Sequence, residues 1–172
     1  MGGRTEMTIE IGAARADDGD ALGEIHAAGW IVYEPFFEPS FYEKAVAHRR
    51  EKWHAVLAEG TETVLLARIG ERPLAFSYFG PSAHRASAAE IYGFYGHPDG
   101  WGSGIAAALM AATLSRMERD GFASVHLWTL RDTPQSRRFY RKTGFVESGE
   151  SRLHDFGDGG LIDQVEYVRR VP

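Results

Sequence analysis

The sequence contains no cysteine, which removes a disulfide framework, a thiolate zinc site and a cysteine nucleophile from consideration. Such a chain suits a reducing compartment, and a cytoplasmic location with no metal site is expected. No run approaches the ~20 apolar residues that a membrane span requires. The opening "MGGRTEMT" lacks the apolar centre of a signal peptide, so no membrane partner is expected. Positive charge is also short: 19 Lys and Arg stand against 24 Asp and Glu, for a formal net charge of −5. Binding to phosphate backbones is driven by clustered cations that release counterions, so no nucleic-acid partner is expected. At the level of the whole-molecule field, the same deficit favours a cationic ligand.

What is present is an ordinary globular composition, 44% hydrophobic and 25% charged. A chain of 172 residues fits one domain, expected over residues 7–172, with residues 1–6 as a flexible tail. Four Trp, seven Tyr and ten Phe supply anchors for a core or a cleft. Alternation in "TIEIGAA" predicts a first strand, and the acidic "ADDGD" caps a helix over about 20–33. A second helix is predicted over about 40–58, between a proline-bounded loop and Gly60. The stretches "TVLLARI" and "PLAFSYF" read as a hairpin, and "AAEIYGFYG" as a further strand. A helix then runs to about Asp120. "SVHLWTL" is an apolar strand of the buried parallel kind, and a short helix follows between Pro134 and Gly144. Two strands close the chain. No internal repeat interrupts this order, which implies an α/β fold: a mixed sheet of six to seven strands with helices on both faces.

The stretch "YGFYGHPDGWGSGIAAALM", residues 92–110, carries the chemistry. Glycines at 100, 102 and 104 bare the main chain in front of a helix whose first amides are unpaired and whose dipole favours an anion. A P-loop would need Lys and then Ser or Thr after its last glycine, where Ile105-Ala106 stands. A dinucleotide fold would place its glycine fingerprint after the first strand, not in mid-chain. A plain glycine turn capping a helix remains.

From Glu90 onward the sequence resembles the GCN5-related N-acetyltransferases. "WGSGIA" is similar to their strand–helix signature, with Trp101 where Gln or Arg is usual and Gly104 and Ala106 at the small positions. "LWTLRDTPQSRRFYRKTGF", residues 127–145, is similar to their second block, with Thr133 where Asn is frequent. The resemblance implies acetyl-CoA as co-substrate and an amine as acceptor. It implies a pyrophosphate seat on Trp101, Gly102, Ser103, Gly104, Ile105 and Ala106, and a pantetheine track along Phe94, Tyr95 and Gly96, with Thr133, Ser136 and Tyr140 beside it. Tyr140 matches the tyrosine that serves as acid to the coenzyme sulfur, and Glu90 a carboxylate that deprotonates the amine. His97 is a second candidate base, and Tyr92, two residues from Glu90, shares its face. His26, Trp30, Tyr33 and Glu34 are expected toward the acceptor, although aromatics on these helices would equally serve a core. A similar subgroup of bacterial acetyltransferases carries Arg-Arg-x-x-Trp, here Arg49, Arg50 and Trp53, and fixes no acceptor. The resemblance also leaves open a homodimer through residues 145–171, and a catalytically silent acyl-CoA sensor as the alternative function.

Overall fold

The structure, a computed structural model, describes residues 8–172, so the tail expected over residues 1–6 lies outside the described residues. Seven strands form one sheet: β1 (Ile9–Ala13), β2 (Thr63–Ile69), β3 (Arg72–Pro81), β4 (Ala88–Gly96), β5 (Ser124–Leu130), β6 (Val146–Asp155) and β7 (Leu161–Arg170). Their order is β1-β2-β3-β4-β5-β7-β6. Every neighbouring pair is antiparallel except β4 and β5. The helices are α1 (Gly19–Gly29), α2 (Pro39–Glu51), α3 (Trp53–Glu59), α4 (Ile105–Arg119) and α5 (Pro134–Lys142). The chain is thus the mixed α/β architecture that its pattern implied.

Both faces of the sheet are covered, which explains the continuous apolar runs of β2 and β5. On one face Ile105, Leu109, Met110 and Met117 of α4 pack against Leu65, Ala75, Phe79, Ile91 and Val125. This spacing keeps one helix face on the sheet. In the same layer Thr113 meets Ser77 through a buried hydroxyl pair at 2.8 Å. Ala107 and Ala111 turn outward, so the small residues of α4 are not what seats it on the sheet. The opposite face takes Leu22 and Ile25 of α1 and Trp53 of α3 over Val64, Leu66 and Phe76.

Two helix boundaries differ from the sequence expectation. The first helix stops at Gly29, and Trp30–Phe36 tightens into 3-10 turns holding Pro35, which has no amide to continue an α-helix. The second divides at Lys52 into α2 and α3. Helix α2 lies so close to α1 that a methyl group at Gly23 would stand 2.0 Å from the Arg50 carbonyl oxygen. Only glycine permits that approach.

Candidate active site

Strand pairing opens the site. β4 and β5 are in register only from Ala88↔Ser124 to Ile91↔Leu127, so residues 92–96 have no partner on the β5 side. On its other side β4 carries a bulge. Ile91 pairs with Phe79 and Gly93 with Tyr78, leaving Tyr92 between them. A bulge bends its strand and increases the local twist, consistent with the separation from β5.

Beyond β4 the chain turns through Pro98–Gly100 into α4. Gly102 and Gly104 sit at φ 77° and 87°, backbone conformations natural to glycine, and no atom lies within 4 Å of where a Cβ would stand. Among the described residues, the amides of Gly102, Gly104, Ala106 and Ala107 meet no acceptor, while Ala108 already donates to Gly104. Four amides facing no protein group at a helix start suit an anion. The Ser103 hydroxyl donates to the Gly100 carbonyl at 2.5 Å and accepts the Ile105 amide, so it serves the turn. Trp101 donates from Nε1 to the Gly96 carbonyl at 3.1 Å, with its ring half in solvent. It ties the glycine loop to the last residue of β4. His97 also serves the turn, since its Nδ1 accepts the Asp99 amide.

Three phenols stand on separate elements. Tyr95 is next to last in β4, Tyr140 lies on α5 and Tyr33 on the 3-10 segment. Burial pushes all three above the ordinary phenol range; Tyr95 adds to the shifts of Tyr33 and Tyr140, and Tyr140 to that of Tyr33. Tyr140 packs on Phe145 and Tyr167, at centroid separations of 5.8 and 5.9 Å. Phe94 faces Phe139 on the α4 and α5 side. Thr133 is turned inward: it is buried and its hydroxyl donates to the Leu130 carbonyl at 2.8 Å, which closes the turn before α5. Ser136 is half-buried on the first turn of α5.

Beside Tyr95 a cavity of about 280 Å³ opens among His26, Arg49, Lys52, Tyr78, Tyr92 and Gly93, rimmed by His154, Asp155 and Phe156. Tyr92 is exposed and donates to the Pro81 carbonyl at 2.8 Å. Trp30 does not line this space. It is fully buried, stacked on Phe37 at 5.4 Å, and carries the Arg49 guanidinium 3.6 Å above its ring centre. Glu34 is exposed and outside the cavity lining. Sequence reasoning left Arg49 and Lys52 without a role, although their i, i+3 spacing puts them on one helix face. The local charge is the reverse of what the net charge suggested.

Glu90, two residues before the cavity-lining Tyr92 on β4, faces a polar network. Its Oε1 lies 3.5 Å from His126 Nε2, which also meets the Ser82 hydroxyl at 2.7 Å. On the other side His126 Nδ1 is 2.9 Å from Glu166, a buried carboxylate that accepts from Arg85 and Ser148. Burial raises the Glu166 carboxyl, but those hydrogen bonds outweigh it and hold it below the usual carboxylate range. Neither His126 nor Glu166 is prominent in the sequence, because each stands in its strand between two apolar or aromatic neighbours, outside any motif. Among the described residues no group of three or more His, Asp or Glu side chains is arranged so that it could hold a metal ion.

Comparison with known proteins agrees with this layout. The family model described as "Acetyltransferase (GNAT) family" matches residues 24–145. A mycothiol acetyltransferase of Brachybacterium faecium is 41% identical over 61 residues, 36% of this chain and 18% of that protein, so the match spans under a fifth of the relative's length. The crystal structure of a PaiA N-acetyltransferase from Thermoplasma acidophilum in complex with coenzyme A has a TM-score of 0.72 at 21% identity, covering 93% of this chain and 98% of that one. A putative acetyltransferase from Salmonella typhimurium, yncA, solved with acetyl-CoA, has a TM-score of 0.69 at 16% identity, covering 95% and 94%.

Proposed function

Because the chain belongs to the acetyltransferase (GNAT) family, we propose that it transfers acetyl from acetyl-CoA to a primary amine of a small molecule or peptide, by direct attack in a ternary complex. The observation that carries this reading is a divergent β4–β5 pair beside a glycine turn whose amides meet no protein acceptor. When bound, acetyl-CoA supplies an activated acetyl thioester.

The amides of Gly102, Gly104, Ala106 and Ala107 would hold pyrophosphate oxygens, aided by the α4 dipole. The free edge of Phe94–Gly96 would pair with the pantetheine amides as a strand does, although the Gly96 carbonyl already accepts from Trp101. Tyr140 keeps its proton at all ordinary pH, since burial raises its pKa, and holds it at Oη for the departing sulfur. Glu90 takes the proton of the amine, with His126 beside it to share the charge. Without a cysteine in the chain, no thiol acyl-enzyme can form, which agrees with direct attack.

The test is release of coenzyme A from acetyl-CoA in the presence of an amine panel: polyamines, amino acids, aminoglycosides and peptide N-termini. Amine-dependent release is expected. Tight acetyl-CoA binding with no release for any amine would instead favour a silent acyl-CoA sensor.

A further inference from the structure

The cavity beside Tyr95 has a polar lining that is chiefly cationic or hydrogen-donating. Trp53 donates from Nε1 to His26 Nδ1 at 3.1 Å, so Nδ1 carries no proton and the neutral ring holds its single proton on Nε2. That Nε2 is buried and has no partner, in a residue only 4% exposed. A buried donor left unpaired is costly, and the residue that carries it belongs to the cavity wall.

Arg49 and Lys52 stand on the same wall. Among the described residues neither has a carboxylate within 4.0 Å, whereas their neighbour Arg50 pairs with Glu24. Burial depresses both cations, and Arg49 further depresses Lys52. The one acid at the rim is already engaged: Asp155 Oδ1 accepts the amides of Gly157 and Gly159, at 2.7 and 3.1 Å. Three donors with no acid between them fit an oxyanion and repel a second ammonium. The volume, about 280 Å³, suits a molecule of amino-acid size. Tyr92, Gly93 and Tyr95 of this wall belong to the β4 segment that has no partner on the β5 side, so a head group held here keeps the rest of the molecule close to the proposed chemistry.

We propose that this cavity is an oxyanion subsite built by His26 Nε2–H, Arg49 and Lys52, and that the acceptor is a small amine carrying a carboxylate or phosphonate. The substrate class rests on the acetyltransferase reading, while the subsite rests on the cavity alone.

The experiment compares amino acids with their carboxamides, and aminoalkyl phosphonates with the corresponding neutral amines, by thiol release from acetyl-CoA. Each acid is expected to exceed its neutral partner in kcat/KM by roughly tenfold or more. The carboxylate and phosphonate arms show which head group is preferred. In Arg49→Gln and Lys52→Gln the acid-over-amide ratio is expected to fall about tenfold each, through KM, and Arg49→Lys to restore part of it. Melting temperature and acetyl-CoA affinity report whether each variant is folded. A second readout needs no turnover: calorimetry on coenzyme A-loaded protein, titrated with N-acetyl amino acids and their amides. Binding of the acid alone, lost in Arg49→Gln, supports the subsite even if no amine is acetylated, and the acetyltransferase reading then fails by itself. Equal use of acid and amide, or preference for spermidine, overturns the subsite and leaves the enzyme standing. Neither turnover nor acid-selective binding overturns both.

Discussion

His26 offers a prediction whose size follows from its surroundings. Burial first, then the charges of Lys52, Arg49 and His48, lower its pKa from 6.5 to about 2. Above pH 6.5 the ring is neutral in both folded and unfolded chains and contributes no pH dependence. Below it the unfolded chain takes up a proton that the native state refuses, so stability falls with pH down to about 2. The slope is about 1.4 kcal/mol per pH unit, which amounts to roughly 2 kcal/mol between pH 7.5 and 5.0. Urea unfolding of wild type and His26→Gln at those two values isolates the effect, because the other six histidines are common to both proteins. With a slope of about 2 kcal/mol per molar urea, the wild-type midpoint should fall by roughly 1 M more than that of the variant. Parallel losses in the two proteins would refute the buried neutral ring, and with it the tautomer that keeps the proton on Nε2.

Three other substitutions probe the remaining parts. Tyr140→Phe and Glu90→Gln should each lower kcat by about 10²–10⁴-fold while acetyl-CoA affinity, measured by calorimetry, stays within a few-fold; unchanged turnover would remove both from the chemistry. Since the Tyr140 phenol is raised, no basic limb of the wild-type pH profile below about 10 should belong to it. Gly102→Ala or Gly104→Ala meets no clash but forces a positive φ, at about 1–2 kcal/mol of strain. Acetyl-CoA affinity should drop with it, and undiminished affinity would show that these amides are not the phosphate seat. Trp101→Phe deletes the donor to Gly96 and should cost about 1 kcal/mol, a melting shift of roughly 2–4 °C. An unchanged melting temperature would mean that the bond is not made in solution.

The stretch from β4 through α4 to β5 was legible because each boundary has a local cause. Pro98 and the glycines end the strand, Gly121 ends the helix, and "SVHLWTL" has the composition of a strand covered on both faces. The break at Lys52 was not legible, because lysine is a good helix former and nothing in its neighbourhood signals a stop. The packing role of Trp30 was one of two readings open in the sequence, and only the stack with Phe37 and Arg49 chooses between them. Arg49 and Lys52 were readable as one helix face, but that the face turns toward a cavity rather than solvent is a tertiary fact. The same holds for His126 and Glu166, whose partners besides each other come from two strands and a loop.

The contact between Gly23 and the Arg50 carbonyl couples two parts of the cavity wall that are distant in sequence, beside the bond from Trp53 to His26 and the pair of Arg50 with Glu24. His26 lies one turn after Gly23 on α1, and Arg49 and Lys52 flank Arg50. The absence of a side chain at Gly23 therefore helps to set the span between an imidazole and two cations. A methyl there would leave all three side chains chemically intact while prising their carriers apart. Selectivity for head-group size could thus be retuned from a position that no ligand reaches.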